Sequence, residues 1–269
     1  MSPPHAPPAG GVASTTRTPR IAPWRVGRGT LPVAWVGGPE VRREPGERRP
    51  AMNSRTVTVQ AAGAALTGDL TVPPAARAVV LFAHGSGSSR HSPRNREVAA
   101  GLRTAGLGTL LIDLLTEDEE RLDLRTAELR FDIPLLGRRL VAAVDWLARS
   151  PGTRGLPVVL FGASTGAGAA LVAAAERPDR VRAVVSRGGR PDLAGAALDA
   201  VRAPVLLIVG GRDQHVLRLN EEAARRLHTP HSLLVVPGAT HLFEEPGALG
   251  QVTEAARQWC DEQLKTAAG

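Results

Sequence analysis

Pro157-Val158-Val159-Leu160-Phe161-Gly162-Ala163-Ser164-Thr165-Gly166-Ala167-Gly168-Ala169-Ala170 decides the fold of this chain. Five apolar residues run into a Gly-x-Ser-x-Gly pentapeptide, and small helix formers continue to Glu176. The pattern predicts a buried strand, a sharp turn and a helix, with Ser164 at the tip of the turn. Glycines at 162 and 166 suit a turn whose backbone would clash with any side chain there. A hydroxyl held in this way becomes a nucleophile when a base and an acid are supplied. Two later strand patterns supply them. The first, Pro204 to Val209, leads to Asp213, and the second, Leu233 to Val236, leads through Pro237-Gly238-Ala239-Thr240 to His241. Ser164, Asp213 and His241 are therefore the expected catalytic residues. Asp192 is a rival acid but stands one strand too early. His91, His215, His228 and His231 are rival bases, yet only His241 sits just beyond the last strand. His215 is expected to be a loop residue near the acid.

Around this core the chain alternates strand and helix patterns, which predicts an α/β fold with a mainly parallel sheet. Val57–Gln60 and Leu66–Val72 are expected as an antiparallel hairpin. Strands are expected at Ala78–Ala83, Gly108–Asp113, Val181–Val185 and Ser232–Val236, and helices at Arg94–Ala105, Phe131–Arg149 and Leu249–Lys265. The continuous Val, Leu and Ile runs are those of strands buried on both faces. Only Ser186 to Ala203 separate two of these strands, room for a short helix and not for a lid domain.

An acyl-transfer site also needs an oxyanion hole. The amide after the nucleophile, that of Thr165, is the first expected donor. The loop His84-Gly85-Ser86-Gly87-Ser88-Ser89 follows a strand and offers the second, with Ser86 the first choice and Gly87 next, also a candidate substrate contact. His84 is expected to support this loop. Arg187 and Arg190 follow the Val181–Val185 strand. Arg187 is a candidate for holding an anionic substrate group, against the alternative that it faces solvent or forms a salt bridge to Asp192 or a loop acid. Glu117-Asp118-Glu119-Glu120 reads as a solvated loop, and no histidine accompanies it to suggest a metal.

At 269 residues the chain is long enough for one sizeable core. Its formal charge of +7 points to nucleic acid only until it is located. Eight arginines and three glutamates within residues 1–51 account for +5 of it, so the body is near neutral and no nucleic-acid partner is expected. Lys265 is the only lysine and tyrosine is absent, the bias of a GC-rich, bacterial coding sequence. The single cysteine, Cys260, cannot form an intramolecular disulfide and reads as a reduced structural thiol, in keeping with a cytoplasmic protein. No apolar run reaches the length of a signal core or a membrane span. Residues 1–51, rich in Pro, Gly and Arg, are expected to be a disordered extension. Met52, the only other methionine, immediately precedes the first strand pattern and is the expected true start, leaving 52–269 as the folded domain.

The elbow, the acid and the histidine loop together resemble the α/β-hydrolase superfamily, and within it the dienelactone-hydrolase-like branch, over about residues 54–266. His84 to Asn95, Phe131-Asp132-Ile133 and Val185 to Asp192 resemble bacterial proteins of that branch. Some of those carry a fused phosphoribosyltransferase domain. No acidic pair followed by a phosphate loop occurs here, so that activity is not carried over. Dienelactone hydrolases use a cysteine at the elbow where this chain has Ser164, so what transfers is the fold and the ester-hydrolysis class. The resemblance implies an α/β-hydrolase fold with helices on both faces of the sheet and no large lid. It implies a serine hydrolase of a small carboxylic ester, lactone or thioester that works through an acyl-enzyme, needs no cofactor and acts as monomer or homodimer. A non-catalytic binding module, or an acyltransferase or peptidase on the same three residues, remains the alternative.

Overall fold

Apolar runs too short for helices and uninterrupted by polar residues form the centre of the molecule. A computed structural model describes residues 53–61 and 63–265. The expected extension over 1–51 and the expected start at Met52 lie outside them. The strands are β1 (Asn53–Ala61), β2 (Ala64–Val72), β3 (Val79–Ala83), β4 (Gly108–Ile112), β5 (Val158–Ala163), β6 (Val181–Arg187), β7 (Val205–Gly210) and β8 (His231–Val236). They form one sheet in the order β1-β2-β4-β3-β5-β6-β7-β8. β1 and β2 pair antiparallel, β2 joins β4 antiparallel, and every pairing from β4 to β8 is parallel. Every residue of β3, β4, β5 and β7 is buried, as strands covered on both faces must be.

Among the described residues there are seven α-helices, most of them packed on this sheet: α1 (Pro93–Thr104), α2 (Glu117–Thr126), α3 (Ile133–Arg149), α4 (Thr165–Glu176), α5 (Ala197–Ala200), α6 (Gln214–Arg226) and α7 (Ala248–Lys265). Two cores result. On one face Leu136, Leu140, Val144 and the alanines of α4 pack on Leu81, Leu160 and Val184. On the other, Val98 and Leu102 of α1 and Val252, Ala256 and Trp259 of α7 pack on Phe82, Phe161 and Val185. Phe82 and Phe161 meet there with ring centroids 4.8 Å apart, a favourable aromatic separation. Between β6 and β7 lie only a single turn at Pro191–Ala194 and the four-residue α5, so no large lid covers the sheet edge. The fold is that of the α/β hydrolases.

Three expectations change. The hairpin is longer than Val57–Gln60 and Leu66–Val72, because polar residues between the buried ones face outward along the pleat. The long helix starts at Ile133, since Asp132 caps it by accepting from the Leu135 amide at 2.9 Å with Pro134 in the first turn. The acidic run is not a loop. Glu117 to Glu120 form the first turn of α2, where carboxylates meet unpaired amides and the positive end of the helix dipole. A capping box sets it: Glu119 N–H donates to Thr116 Oγ1 (3.3 Å) and Thr116 N–H to Glu119 Oε2 (2.8 Å).

Candidate active site

Ser164 sits between β5 and α4 with φ +50° and ψ −123°. Such a backbone is strained for a residue with a side chain, and strain of this kind persists only where the surroundings enforce it. The flanking glycines show the enforcement. A Cβ on Gly162 would meet Ala167 Cα at 2.4 Å, and one on Gly166 would meet the carbonyl oxygens of Ala83 and His84 at 2.4 Å. The turn is packed between β3 and α4 so closely that only glycine fits at either position.

Asp213 follows β7 and caps α6, its Oδ1 accepting from Val216 N–H at 3.4 Å. Its other oxygen, Oδ2, lies 2.7 Å from His241 Nδ1. His241 Nε2 in turn lies 3.3 Å from Ser164 Oγ. Residues from three separate strand ends thus meet in one chain of contacts, with Nδ1 donating to the carboxylate and Nε2 left to accept the serine proton. The rivals are elsewhere. Asp192 is held bidentately by Arg190 at 2.8 and 2.7 Å. His231 Nδ1 contacts the Thr229 carbonyl at the start of β8. His91, His215 and His228 are exposed, His215 being on α6 and not in a loop.

The glycine loop differs from expectation. Thr165 begins α4, where its N–H has no partner within the helix, as an oxyanion donor requires. The Ser86 amide is engaged, however: it donates to Thr165 Oγ1 at 2.9 Å. The threonine hydroxyl reaches the loop before any substrate does, and an amide takes the nearest acceptor. Gly87 has φ +67°. A Cβ there would come nearest Arg130 Nη1, and the glycine lines an adjoining cavity with His84, Ser86, Arg130 and Thr165. Gly87 is not among the residues that line the cavity at Ser164 itself.

His84 supports the loop, as its position suggests. Its Nε2 accepts from Leu114 N–H at 3.0 Å and its Nδ1 donates to the Gly85 carbonyl at 2.9 Å. Burial pushes its pKa down against the opposing hydrogen bond to Gly85, which keeps the ring neutral and preserves both contacts. The Gly85–Ser86 peptide is thus fixed at its oxygen by His84 and at its nitrogen by Thr165.

The cavity at Ser164 measures about 230 Å³, and its lining includes His241, Ser92, Arg94, Asn95, Arg187 and Leu242. Arg187 is the last residue of β6 and does not lie beyond it. Arg94, Asn95 and Leu242 were missed by sequence reasoning. A signal existed for two of them: Ser92-Pro93 is a helix cap followed by proline at the first helical position, and Asn95 N–H donates to Ser92 Oγ. That cap fixes Arg94 and Asn95 in the first turn of α1. Among the described residues, no three or more His, Cys, Asp or Glu cluster as a metal site, and no helix is long and apolar enough to cross a membrane. Cys260 is buried within α7, which pushes its thiol up to about 12.

Known proteins resemble the chain in the same terms. The dienelactone hydrolase family model matches residues 66–266. The crystal structure of a dienelactone hydrolase from Anabaena variabilis is 60% identical, covers 77% of this chain and 96% of its own, and superposes with a TM-score of 0.76. Est1E from Butyrivibrio proteoclasticus, 18% identical over 78% of this chain and 99% of its own, has a TM-score of 0.66 and shares the fold. Two Mycobacterium tuberculosis proteins, from strains CDC 1551 and H37Rv, are each 58% identical over 215 residues, 80% of this chain. Both bear the name "Putative phosphoribosyl transferase", and this chain spans about half (48%) of their length.

Proposed function

We propose, from the premise that the chain belongs to the dienelactone hydrolase family and is a hydrolase of that fold, that it cleaves a small carboxylic ester, lactone or thioester through Ser164. The observation that carries this reading is the contact chain Asp213–His241–Ser164, at 2.7 and 3.3 Å, ending on a strained serine. His241 Nε2 takes the Ser164 proton as Oγ attacks the carbonyl carbon. Asp213 holds the ring in the tautomer with Nδ1–H and stabilises the imidazolium that forms. The oxyanion is received by the Thr165 amide, and by the fixed Ser86 amide once the Thr165 hydroxyl rotates away from it. His241 then returns the proton to the leaving alcohol or thiol. A water deprotonated by the same nitrogen attacks the acyl-enzyme and releases the acid. No cofactor enters any step.

The small cavity and the lack of a large lid favour short acyl groups over lipid chains. We assign the protein to the cytoplasm on its single reduced cysteine. The phosphoribosyl transferase name belongs to proteins about twice as long and is not part of this reading. The test is a panel of short aryl esters, lactones, thioesters and aminoacyl amides, assayed with the wild type and Ser164→Ala. Turnover of esters or lactones by the wild type, lowered at least about 10⁴-fold in Ser164→Ala, is expected. Turnover kept by Ser164→Ala overturns the reading. An inactive wild type that binds these molecules would instead favour a binding module, and amide turnover alone a peptidase.

A further inference from the structure

Arg187 ends β6 beside the nucleophile. Its carbonyl accepts Ser164 N–H at 3.2 Å, and it is the register partner of Ala163 on β5. Neighbouring strands lie about 4.8 Å apart, so the arginine side chain starts one strand spacing from the reacting hydroxyl. Arg187 is only 7% exposed, yet its Nε and Nη1 are enclosed with no hydrogen-bond partner. Its neighbour Arg190 has Asp192 as a bidentate partner, whereas Arg187 has no carboxylate among the described residues. Removing a charge from water without a counter-charge costs several kcal/mol. Burial, with the nearby Arg94 adding to it, lowers the guanidinium to about 10, which leaves it cationic at neutral pH. Arg94, in the first turn of α1, faces the same cavity, and its Nε too is enclosed without a partner. Its Nη1 donates to Glu244 Oε1 at 2.9 Å, but that carboxylate is 63% exposed and largely screened by solvent.

We propose that this cavity binds a phosphate carried by the substrate, a tetrahedral dianion held between the guanidinium groups of Arg187 and Arg94, which both line it. The proposal rests on the reading of Ser164 as nucleophile, because one cavity of about 230 Å³ holds the hydroxyl and both guanidinium groups. A planar carboxylate is filled by one bidentate fork. Donors from two separate elements instead suit a group with three acceptor oxygens and about two negative charges. Ester carbonyl and phosphate must then lie a few bonds apart in one small molecule.

Three esters decide it: acetoxyethyl phosphate, its neutral counterpart methoxyethyl acetate, and the carboxylate acetoxypropionate. The wild type should prefer the phosphorylated ester in kcat/KM by about 30-fold over either of the others, the worth of about 2 kcal/mol in charge-assisted hydrogen bonds. Arg187→Met should reduce that ratio to about threefold or less, and Arg94→Met should lower it part of the way. Inorganic phosphate should compete with the neutral ester and raise the Tm of both the wild type and Ser164→Ala, while acetate does neither. Equal turnover of the three esters overturns the proposal. So does inorganic phosphate that neither competes nor stabilises Ser164→Ala. A preference for acetoxypropionate that disappears in Arg187→Met overturns the tetrahedral assignment. Should Arg187→Met not fold, Arg94→Met and phosphate competition in the wild type give the same decision. Phosphate bound by a Ser164→Ala variant that still cleaves esters would overturn the serine reading and leave this site standing.

Discussion

The segment Glu117–Phe131 and the turn at Ser164 both carry buried polar groups near the glycine loop, and they treat them in opposite ways. In the first, the charges are paired. Arg139 of α3, 2% exposed, packs against this segment and donates to the Leu114 carbonyl and to Glu119 Oε1, each at 2.5 Å. Asp123, 3% exposed, accepts from the Leu129 and Arg130 amides at 2.8 and 3.0 Å and from Arg130 Nε at 2.6 Å. Burial, the largest single influence, pushes the Asp123 carboxyl up, but the amides and the Arg130 guanidinium together hold it below the ordinary range. At the second region Ser164 is strained, Arg187 has no partner, and a chain of contacts ends on a free hydroxyl. Paired charges hold a segment in place. Unpaired and strained groups beside a cavity are kept at a cost in stability, and ligand binding is the natural offset.

That contrast can be broken most severely at Asp213. Asp213→Asn should lower kcat on a small ester by about 10⁴-fold, because an amide cannot hold the required tautomer of His241. Asparagine caps a helix as well as aspartate, so the Tm should stay near that of the wild type. A loss below tenfold would mean that His241 does not depend on this carboxylate.

A smaller effect is expected where the two regions meet, at His84. His84→Phe keeps the ring volume but strands the Leu114 N–H and frees the Gly85 carbonyl. Denaturant unfolding should show a loss of about 2 kcal/mol. Turnover should fall about 30-fold as the Gly85–Ser86 peptide loses its fixed direction. Unchanged kcat with lowered stability would confine His84 to the frame.

The smallest effect on turnover belongs to Arg139. Arg139→Met should destabilise the fold by about 1.5 kcal/mol by removing the donor to the Leu114 carbonyl and to the half-buried Glu119, with kcat within about threefold of the wild type. It should also alter the acid response. Burial acts most strongly on Glu119, raising it, yet Arg139 and the Thr116 cap together hold it below 4.5. Its contribution is therefore present above that value and is lost as pH falls through the lowered folded value. The Tm of Arg139→Met should fall less steeply with acid than that of the wild type. Parallel acid limbs would show that the pair contributes nothing to pH stability.

What could be read from the sequence follows from how local each signal is. The parallel sheet was legible because buried strands such as Val158–Phe161 admit no polar residue, and the elbow because sterics there demand glycine at fixed spacing. Ser164, Asp213 and His241 were legible as strand-end residues. α2 was not, because a run of four carboxylates reads as solvated until Thr116 and Glu119 are seen to cap each other. α6 was passed over because its apolar stripe, with Val216, Ala223 and Ala224 buried, is set among polar and charged residues. The engagement of Ser86 by Thr165 depends on one side-chain direction, and the exclusion of Gly87 from the cavity on which way a loop faces. Neither has a sequence period. Arg187 stands out in the sequence as an arginine near a strand end, but its lack of a carboxylate partner is a property of three dimensions alone.

If Ser164 is an activated nucleophile, a fluorophosphonate probe should label it. Peptide mass spectrometry should find one equivalent of phosphonyl adduct on the peptide containing Ser164. The adduct should be absent in Ser164→Ala and formed far more slowly in His241→Ala. Folded wild-type protein that stays unlabelled, or that carries the adduct on another residue, would contradict the account.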